Sequence, residues 1–133
     1  MPESQIHQVA EAVEWLHVQS TVATQDDAMR LSHGLVEARL AACVQIQPGV
    51  ESVYSWQGKI EREPECVLSI KTHLSLWESL LQWFDNHHPY DCPQVTALPL
   101  TRVAAQYETW LREQLLDSGN ADSTSAEGGA STG

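Results

Sequence analysis

The chain has few basic residues. Seven lysines and arginines stand against eighteen acidic residues, which gives a formal net charge of −11 at pH 7. A nucleic-acid-binding surface needs clustered positive charge to neutralise phosphates, so nucleic acid is disfavoured as a partner. An acidic surface instead concentrates cations around the protein. Acidity also maintains solubility, and on charge alone this simpler interpretation is the favoured one.

Cysteine and long apolar runs are scarce as well. Cys43, Cys66 and Cys92 are odd in number and widely spaced, so they fit neither a disulfide framework nor a CxxC metal pair. No run approaches the length of a membrane span, and the first residues lack the basic and apolar regions of a secretory signal. These absences predict a soluble protein of the cytoplasm, a reducing compartment, with no membrane partner.

Large apolar residues are missing from residues 117–133, which are rich in glycine, serine, threonine and acids. Such a segment cannot offset its ordering entropy by burial, so we predict a disordered tail. Residues 1–14 show apolar groups at helical spacing over too short a span to form a stable helix, and we predict a weakly ordered leader. A single folded domain is expected over residues 15–116.

A stretch typical of β structure, residues 40–72, dominates this domain. We predict two arms joined by a turn at Glu61–Pro64, where proline and charge stop strand pairing. The first arm bends at Pro48-Gly49 and is about twice the length of an ordinary strand. Tyr54 and Trp56 on a projecting ribbon are poor candidates for exposure to water. We therefore expect another chain to cover them.

The elements around this hairpin complete the order β-α-β-β-α-β-α. Alternating hydrophobicity predicts a first strand over residues 15–22, and Trp15 on its second face suggests that this face also meets another chain. A helix begins at Thr24, with Asp27 as the acidic partner of its N-terminus. Gly34 within that helix predicts close packing against a neighbour.

The second half of the domain repeats a helix and a strand. Ser75 begins a capping box for a helix that must end before His88, because Pro89 disfavours helical conformation in the preceding residue. A strand over residues 95–98 is stopped by Pro99, and a last helix follows. The order predicts a ferredoxin-like α+β sandwich with an extra C-terminal helix and a long hairpin between its second and third strands. One sheet face is left uncovered by helices, which again indicates an oligomer.

A polar cluster at residues 86–93, NHHPYDCP, places two imidazoles, a phenol, a carboxylate and a thiol between a helix end and a strand. Imidazole suits copper, zinc and nickel, and copper(II) is held most tightly by such ligands. A histidine in a last helical turn is also favourable beside the carbonyl end of the helix dipole. A structural role for His87 and His88 therefore stays open beside metal binding.

Four stretches, in the same order and spacing, resemble the CutA family of divalent cation tolerance proteins: RLAACVQIQPGVESVYSWQGKIE (39–61), VLSIKT (67–72), HHPYDCPQV (87–95) and ALPLTRVAAQYETWL (97–111). The resemblance covers about residues 15–113. It implies a ferredoxin-like subunit in a tight homotrimer whose long hairpins wrap neighbouring subunits, an architecture similar to that of the PII signalling proteins. It also implies a role in the tolerance of copper and other divalent metals.

The resemblance implies a copper site at His87 and His88 in some family members, and no organic cofactor is evident. The cysteine that such members carry near the end of the first strand aligns with Ser20, whose hydroxyl is a poor copper ligand beside a thiolate. Cys92 is close to the histidines in sequence and could replace that thiolate. The residues expected to hold copper(II) or another divalent metal are therefore His87, His88, Ser20 and Cys92.

Between subunits we expect a cleft lined by Trp56, Lys71, Thr72, Tyr90 and Asp91. This cleft suggests a second hypothesis, a PII-like sensor of a small anionic ligand near Lys71, although the chain has no glycine-rich phosphate loop. A third hypothesis, a hydrolase that uses His88 with Asp91, lacks an evident nucleophile or oxyanion site. We predict a trimeric metal-binding protein that is not an enzyme.

Overall fold

A computed structural model describes residues 14–116, so the predicted tail and all but the last residue of the predicted leader lie outside the described residues. In chain order the elements are β1 (Trp15–Val22), α1 (Gln25–Glu37), β2 (Cys43–Trp56), β3 (Lys59–His73), a 3₁₀ turn (Leu74–Leu76), α2 (Trp77–His87), β4 (Thr96–Leu100) and α3 (Ala105–Gln114). None of the helices in this part of the chain has the length and apolar character needed to cross a membrane.

The four strands form one antiparallel sheet in the order β2-β3-β1-β4. In the central strands β1 and β3, successive side chains lie on opposite faces of the sheet. Those on one face pack against α1 and α2 and form the core. The fully buried members of this core include Val18, Leu68, Ile70, Leu31, Leu80 and Phe84. The predicted α+β sandwich with a long hairpin and an extra C-terminal helix is confirmed.

The two helices on the core face pack closely, as Gly34 predicts. A Cβ atom at Gly34 would lie 2.6 Å from the Trp83 indole of α2, so only glycine leaves room for this ring. The start of α1 also agrees with the helix start predicted at Thr24, because the Thr24 hydroxyl accepts a hydrogen bond from the Asp27 amide at 3.1 Å. The contact between Gly34 and Trp83 sets how closely α2 approaches α1.

The hairpin turn predicted at Glu61–Pro64 is wrong. The chain turns at Gln57-Gly58, where both residues have positive φ (51° and 79°) as a two-residue hairpin turn requires. Pro64 lies within β3 opposite Glu51. Among the described strands β2 is its only neighbour there, because β1 pairs only with Cys66–His73. A strand with a free edge tolerates proline.

The bend predicted at Pro48-Gly49 is confirmed as a β-bulge. The register between β2 and β3 shifts between Gln47 and Val50, and Gly49 has a φ of 77°. A glycine accommodates this left-handed conformation without strain. The bulge lies close to the level at which β1 ends, so the hairpin changes direction where it leaves the sheet.

Two boundaries differ from their predictions. The Ser75 hydroxyl does not cap α2. Instead the His73 ring Nδ1 accepts from the Ser75 amide at 3.1 Å, and a 3₁₀ turn precedes the helix. β4 continues through Pro99 rather than ending before it, because β4 is an edge strand that pairs only with β1. The end of α2 follows the prediction, since His88 is already extended.

Trp15 is buried within its own chain, which corrects the expectation that its sheet face meets another chain at this residue. The side chain is 4% exposed, and its Nε1 donates to a Glu108 carboxylate oxygen of α3 at 2.9 Å. The Arg112 guanidinium lies 5.2 Å from the Trp15 ring centroid. Arg39 holds the other end of α3 by donating to the Glu113 carbonyl at 2.7 Å. α3 therefore covers this end of the second sheet face within the chain.

Candidate functional site

The loop that follows α2 carries most of the predicted site residues. It starts at His88, because α2 ends at His87 and His88 has φ −72° and ψ 136°. The change from helical to extended backbone gives the two adjacent imidazoles different surroundings. His88 is half-buried against the end of β1, whereas His87 is exposed on α2.

The His88 ring is held through both nitrogens. Nδ1 accepts a hydrogen bond from the Tyr90 amide at 3.1 Å, so the proton is assigned to Nε2. Nε2 lies 3.1 Å from the Thr21 carbonyl oxygen and 3.2 Å from the Ser20 hydroxyl. Burial is the main cause that lowers the pKa of His88 below its ordinary value. A neutral ring with both nitrogens occupied has no free lone pair for a metal.

Ser20 lies beside His88 at the end of β1 and is fully buried. Two of the four predicted metal residues are thus brought together. In this conformation the Ser20 hydroxyl and the Thr21 carbonyl anchor the His88 imidazole. The imidazole in turn orders the loop through the Tyr90 amide.

His87, unlike His88, has a ring nitrogen whose lone pair is available to a metal. Its ring stacks on the Trp83 indole, with centroids 4.0 Å apart and planes 13° apart. Nδ1 lies 2.7 Å from the Trp83 carbonyl oxygen, so Nδ1 is the protonated nitrogen and Nε2 keeps its lone pair. A histidine that donates one N–H to a backbone carbonyl and presents the other nitrogen is the usual arrangement of a metal ligand.

Asp91 and Cys92 are exposed and line a cavity, which is a second candidate site in the molecule. Together with Tyr90 they form one wall of this cavity of about 660 Å³. The other wall is formed by Tyr54, Trp56, Glu61 and Glu63 of the distal ribbon, the part of the β2–β3 hairpin beyond the bulge (residues 50–65). Three of the five predicted cleft residues, Trp56, Tyr90 and Asp91, therefore lie at one cavity within a single chain.

Tyr90 is fixed in this wall by Glu65. The phenol donates to a Glu65 carboxylate oxygen at 2.9 Å, and the Ser52 hydroxyl donates to the other oxygen of the same carboxylate. Burial, and then the hydrogen bond to Glu65, raise the pKa of Tyr90. The loop after α2 is thereby attached to the base of the distal ribbon.

Lys71 and Thr72 lie away from that cavity. Thr72 is fully buried and its hydroxyl donates to the Leu40 carbonyl at 2.6 Å. Lys71 pairs with Cys43, whereas Trp56 pairs with Lys59, so most of the ribbon separates Lys71 from Trp56. At the rise of a β-strand this separation is roughly 40 Å. Lys71 could meet Trp56 only from a neighbouring copy.

The cavity is strongly acidic. Glu61, Glu63 and Asp91 line it, and among its lining residues in the described part of the chain there is no lysine or arginine. Burial and then the charges of Glu63, Glu61 and Glu65 raise the pKa of Tyr54. Sequence reasoning missed the glutamates because it placed the turn among them. Their alternate spacing shows that they share one strand face once the turn is at Gln57-Gly58.

Within the described residues, a complete metal centre is not preformed in the single chain. Residues 14–116 contain no group of three or more histidine, cysteine, aspartate or glutamate side chains arranged to hold a metal ion. The accessible donors among the four predicted residues are His87 Nε2 and the Cys92 thiol.

Comparisons with known proteins match this architecture. Residues 16–114 match the family described as CutA1 divalent ion tolerance protein. The chain is 44% identical over 92 residues to the chloroplastic protein CutA of Arabidopsis thaliana, an alignment that covers 69% of this chain and 50% of that protein. It is 40% identical over 93 residues to the divalent-cation tolerance protein CutA of Thermus thermophilus, covering 70% and 90% respectively.

Solved structures agree with these sequence relatives. The crystal structure of CutA1 from Oryza sativa superposes with a TM-score of 0.77 at 38% identity, covering 80% of this chain and 97% of that one. The chain spans about half the length of the plant proteins that it matches.

Proposed function

Because the chain belongs to the CutA1 divalent ion tolerance protein family, we propose that it acts in the tolerance of divalent cations. It does so as a homotrimer that binds copper(II) or another divalent metal, without catalysing a reaction. The observation that carries this proposal is the exposed His87 ring, whose Nδ1 donates to the Trp83 carbonyl and whose Nε2 is available to a metal. The location of the protein in the cytoplasm stays a prediction.

The contacts of the four predicted residues support different roles for them in this proposal. His87 Nε2 and the exposed Cys92 thiol are the donor atoms that a metal can reach. His88 and Ser20 order the loop, and they become ligands only when the bonds of His88 to Thr21 and Tyr90 break. With few preformed donors and no thiolate at Ser20, the affinity is modest and copper(II) is preferred over copper(I).

The trimer in this proposal is supported by the distal ribbon. Val53, Trp56 and Ile60 are 64%, 58% and 76% exposed in the single chain. Large apolar side chains grouped on a projecting element mark an interaction surface. A neighbouring copy that covers them also brings its own Lys71 towards the cavity, which the same chain cannot do.

Titration calorimetry of copper(II) in a non-chelating buffer tests the metal site. His87→Ala is expected to weaken binding about tenfold, because it removes an imidazole donor whose other ring nitrogen is already held by the Trp83 carbonyl. His33→Ala, which removes another exposed histidine from α1, is the matched control and is expected to change little. Affinity should fall at acidic pH, since a protonated imidazole cannot bind a metal.

Ser20→Cys tests the role of the buried serine. The new thiol would lie beside the His88 ring, so copper(I) affinity is expected to rise more than copper(II) affinity. No gain for either ion would show that this position does not take part in metal binding. Copper binding that survives removal of both His87 and His88 would move the site elsewhere in the chain.

The alternative of a PII-like sensor for an anion is less well supported by the geometry. Glu61, Glu63 and Asp91 would repel an anion from the cavity at Trp56, and only Lys71 of a neighbouring copy could offset them. A nucleotide panel in the same calorimeter separates the two functions. Submillimolar binding of a nucleotide that is lost in Lys71→Gln would favour the sensor.

A further inference from the structure

A groove lies on the helix-covered side of the sheet, between α1 and the edge strand β2. α1 packs over the middle of the sheet through Ala28, Leu31 and Leu35, which are fully buried. Among the described strands β2 has only β3 as a neighbour, so no further strand lies beneath the flank of the helix. A space of about 390 Å³ remains there, within the range of small-molecule sites.

The lining of this groove is mostly apolar. Met29 and Val36, seven residues apart, lie on one side of α1, and Val44 and Ile46 form the opposite wall. Both α1 side chains are exposed in the single chain, whereas both β2 side chains are partly buried against the core. A ligand with an apolar body would therefore remove apolar surface from water on both walls.

The groove is separate from the surface that the proposed trimer covers. Val44 and Ile46 pair with Ile70 and Leu68 of the core, so their side chains lie on the sheet face that the helices cover. The distal ribbon begins beyond the bulge, at Val50, and the other expected contact between copies is on the sheet face without helices. Coverage of the ribbon or of that opposite face therefore does not close the groove.

Ser32 adds a buried hydroxyl to the groove wall, between Met29 and Val36. Its side chain is 8% exposed, yet its Oγ has no hydrogen-bond partner among the described residues. A serine inside a helix can satisfy its hydroxyl by bonding back to the carbonyl of the preceding turn, and Ser32 does not do so. A buried polar group without a partner costs stability. The Ser32 hydroxyl is therefore available to a molecule that enters the groove.

The surroundings of Ser32 favour an uncharged partner. A charged group at this depth would lose its hydration against apolar side chains, and a single neutral hydroxyl does not compensate for that loss. An anion is disfavoured further, because the lining contains Glu37 and, within the described part of the chain, no lysine or arginine. A hydroxyl group fits best, since it can both donate to and accept from the Ser32 Oγ.

We propose that this groove binds a small uncharged alcohol or phenol. The hydroxyl of the ligand exchanges a hydrogen bond with the Ser32 Oγ, and its apolar body lies against Met29, Val36 and Val44. The site shares no residue with the metal site proposed at His87, and it adds a function beyond the tolerance of cations.

Phenol and toluene test the proposal on the full chain, because they have nearly the same shape and only phenol carries a hydroxyl. The chain contains two methionines, Met1 and Met29, so the nuclear magnetic resonance spectrum of labelled methionine methyl groups is simple to assign. The Met29 signal, identified by its loss in Met29→Leu, should shift as phenol is added at pH 7, with a Kd of roughly a few millimolar for so small a ligand. No shift would mean that another part of the protein or a second copy fills the groove, which overturns the proposal.

Ser32→Ala separates the hydrogen bond from the apolar contact. Toluene is the more apolar compound, so the informative quantity is the effect of the substitution on each ligand. Loss of the hydroxyl should weaken phenol binding about fivefold and leave toluene binding unchanged or slightly tighter. The variant should melt no lower than the wild type, because it loses an unpartnered hydroxyl and alanine favours the helix. An equal change for both ligands, or a lower melting temperature, overturns the assignment of this hydroxyl to a ligand.

A matched pair of variants locates the site. Met29 and Leu74 are both 50% exposed, but only Met29 lines the groove. Met29→Ala should weaken phenol binding severalfold by removing apolar contact, whereas Leu74→Ala should leave the Kd unchanged. Broadening of the phenol signals measures the Kd in both variants. A loss of affinity in Leu74→Ala as large as that in Met29→Ala would indicate general partitioning onto exposed apolar side chains and overturn the location.

Discussion

The two halves of the β2–β3 hairpin differ in what covers them. In the half inside the sheet, Leu68 and Ile70 are fully buried, whereas in the distal half Trp56 and Ile60 are 58% and 76% exposed. The same antiparallel pairing runs through both halves, so their backbone hydrogen bonds are equivalent. A two-stranded hairpin alone is marginally stable in water. In the proposed trimer, a neighbouring copy would therefore supply the contacts that stabilise the distal half.

The boundary between the halves is well defined. β1 ends at Val22, opposite Cys66, and the bulge at Gly49 lies on β2 close to the same level. Beyond this level β3 has one neighbouring strand instead of two. Glu65, the next residue outward, is the point at which Tyr90 attaches the loop to the ribbon. Each prediction below changes one side of this boundary.

The largest effect is expected from removing the distal aromatics. In Tyr54→Ala/Trp56→Ala each truncation removes a large anchor, worth about 3–5 kcal/mol where the ring is buried by a neighbouring copy. We expect the trimer to dissociate and the melting temperature to fall by well over ten degrees. Size-exclusion chromatography with light scattering measures both the wild-type and the variant mass. A wild-type chain that is monomeric at micromolar concentration would contradict the assembly.

A matched pair of substitutions separates the halves directly. Leu68→Ala creates a cavity in the core of the single chain and should cost about 2–5 kcal/mol at any protein concentration. Ile60→Ala removes a similar side chain that is exposed in one chain, so its cost should appear only under conditions in which the chain is assembled. Urea unfolding at several protein concentrations measures both effects. A concentration-independent loss of similar size for Ile60→Ala would show that the ribbon folds back on its own chain.

The element order was predictable because its signals are local. The Thr24 cap and the end of α2 before Pro89 each depend on a few neighbouring residues. Gly34 depends on one packing contact, with Trp83. The hairpin turn was not predictable in this way. The effect of Pro64 depends on whether its strand has a free edge, and Gln57 is an unusual residue for positive φ.

The candidate site shows the same division between local and long-range information. The resemblance to the CutA family grouped Ser20 with His88, and the two side chains are in contact. It could not show that the Thr21 carbonyl and the Tyr90 amide occupy the imidazole nitrogens, because those contacts depend on where β1 ends relative to the loop. The burial of Trp15 by α3 similarly depends on Arg39, which is distant in sequence from the helix that it holds.

A smaller effect is expected at the junction of the two halves. Tyr90→Phe removes the hydroxyl that donates to Glu65, while the ring and the Ser52 contact remain. The loss of a hydrogen bond to a charged group should cost about 1–3 kcal/mol. Hydrogen exchange should show faster opening of the loop and the distal ribbon, with unchanged protection of β1. Equal loss of protection in β1 would mean that the junction does not separate two independently stable regions.

The smallest effect is a pH dependence on the sheet side of the junction. Burial lowers the pKa of His88 in the folded chain, so as the pH falls the unfolded chain takes up the proton first. The stability that the neutral ring contributes is present above about pH 6.5 and is lost as the pH falls towards the lower folded value. The lowered pKa of Glu108, caused mainly by its bond to Trp15, acts only at more acidic pH. Urea unfolding near neutral pH and about one unit below 6.5 should therefore show a decrease that is reduced in His88→Gln. The imidazole signals of His88 report its pKa directly, and titration at or above the ordinary value would contradict a neutral, buried role for this ring.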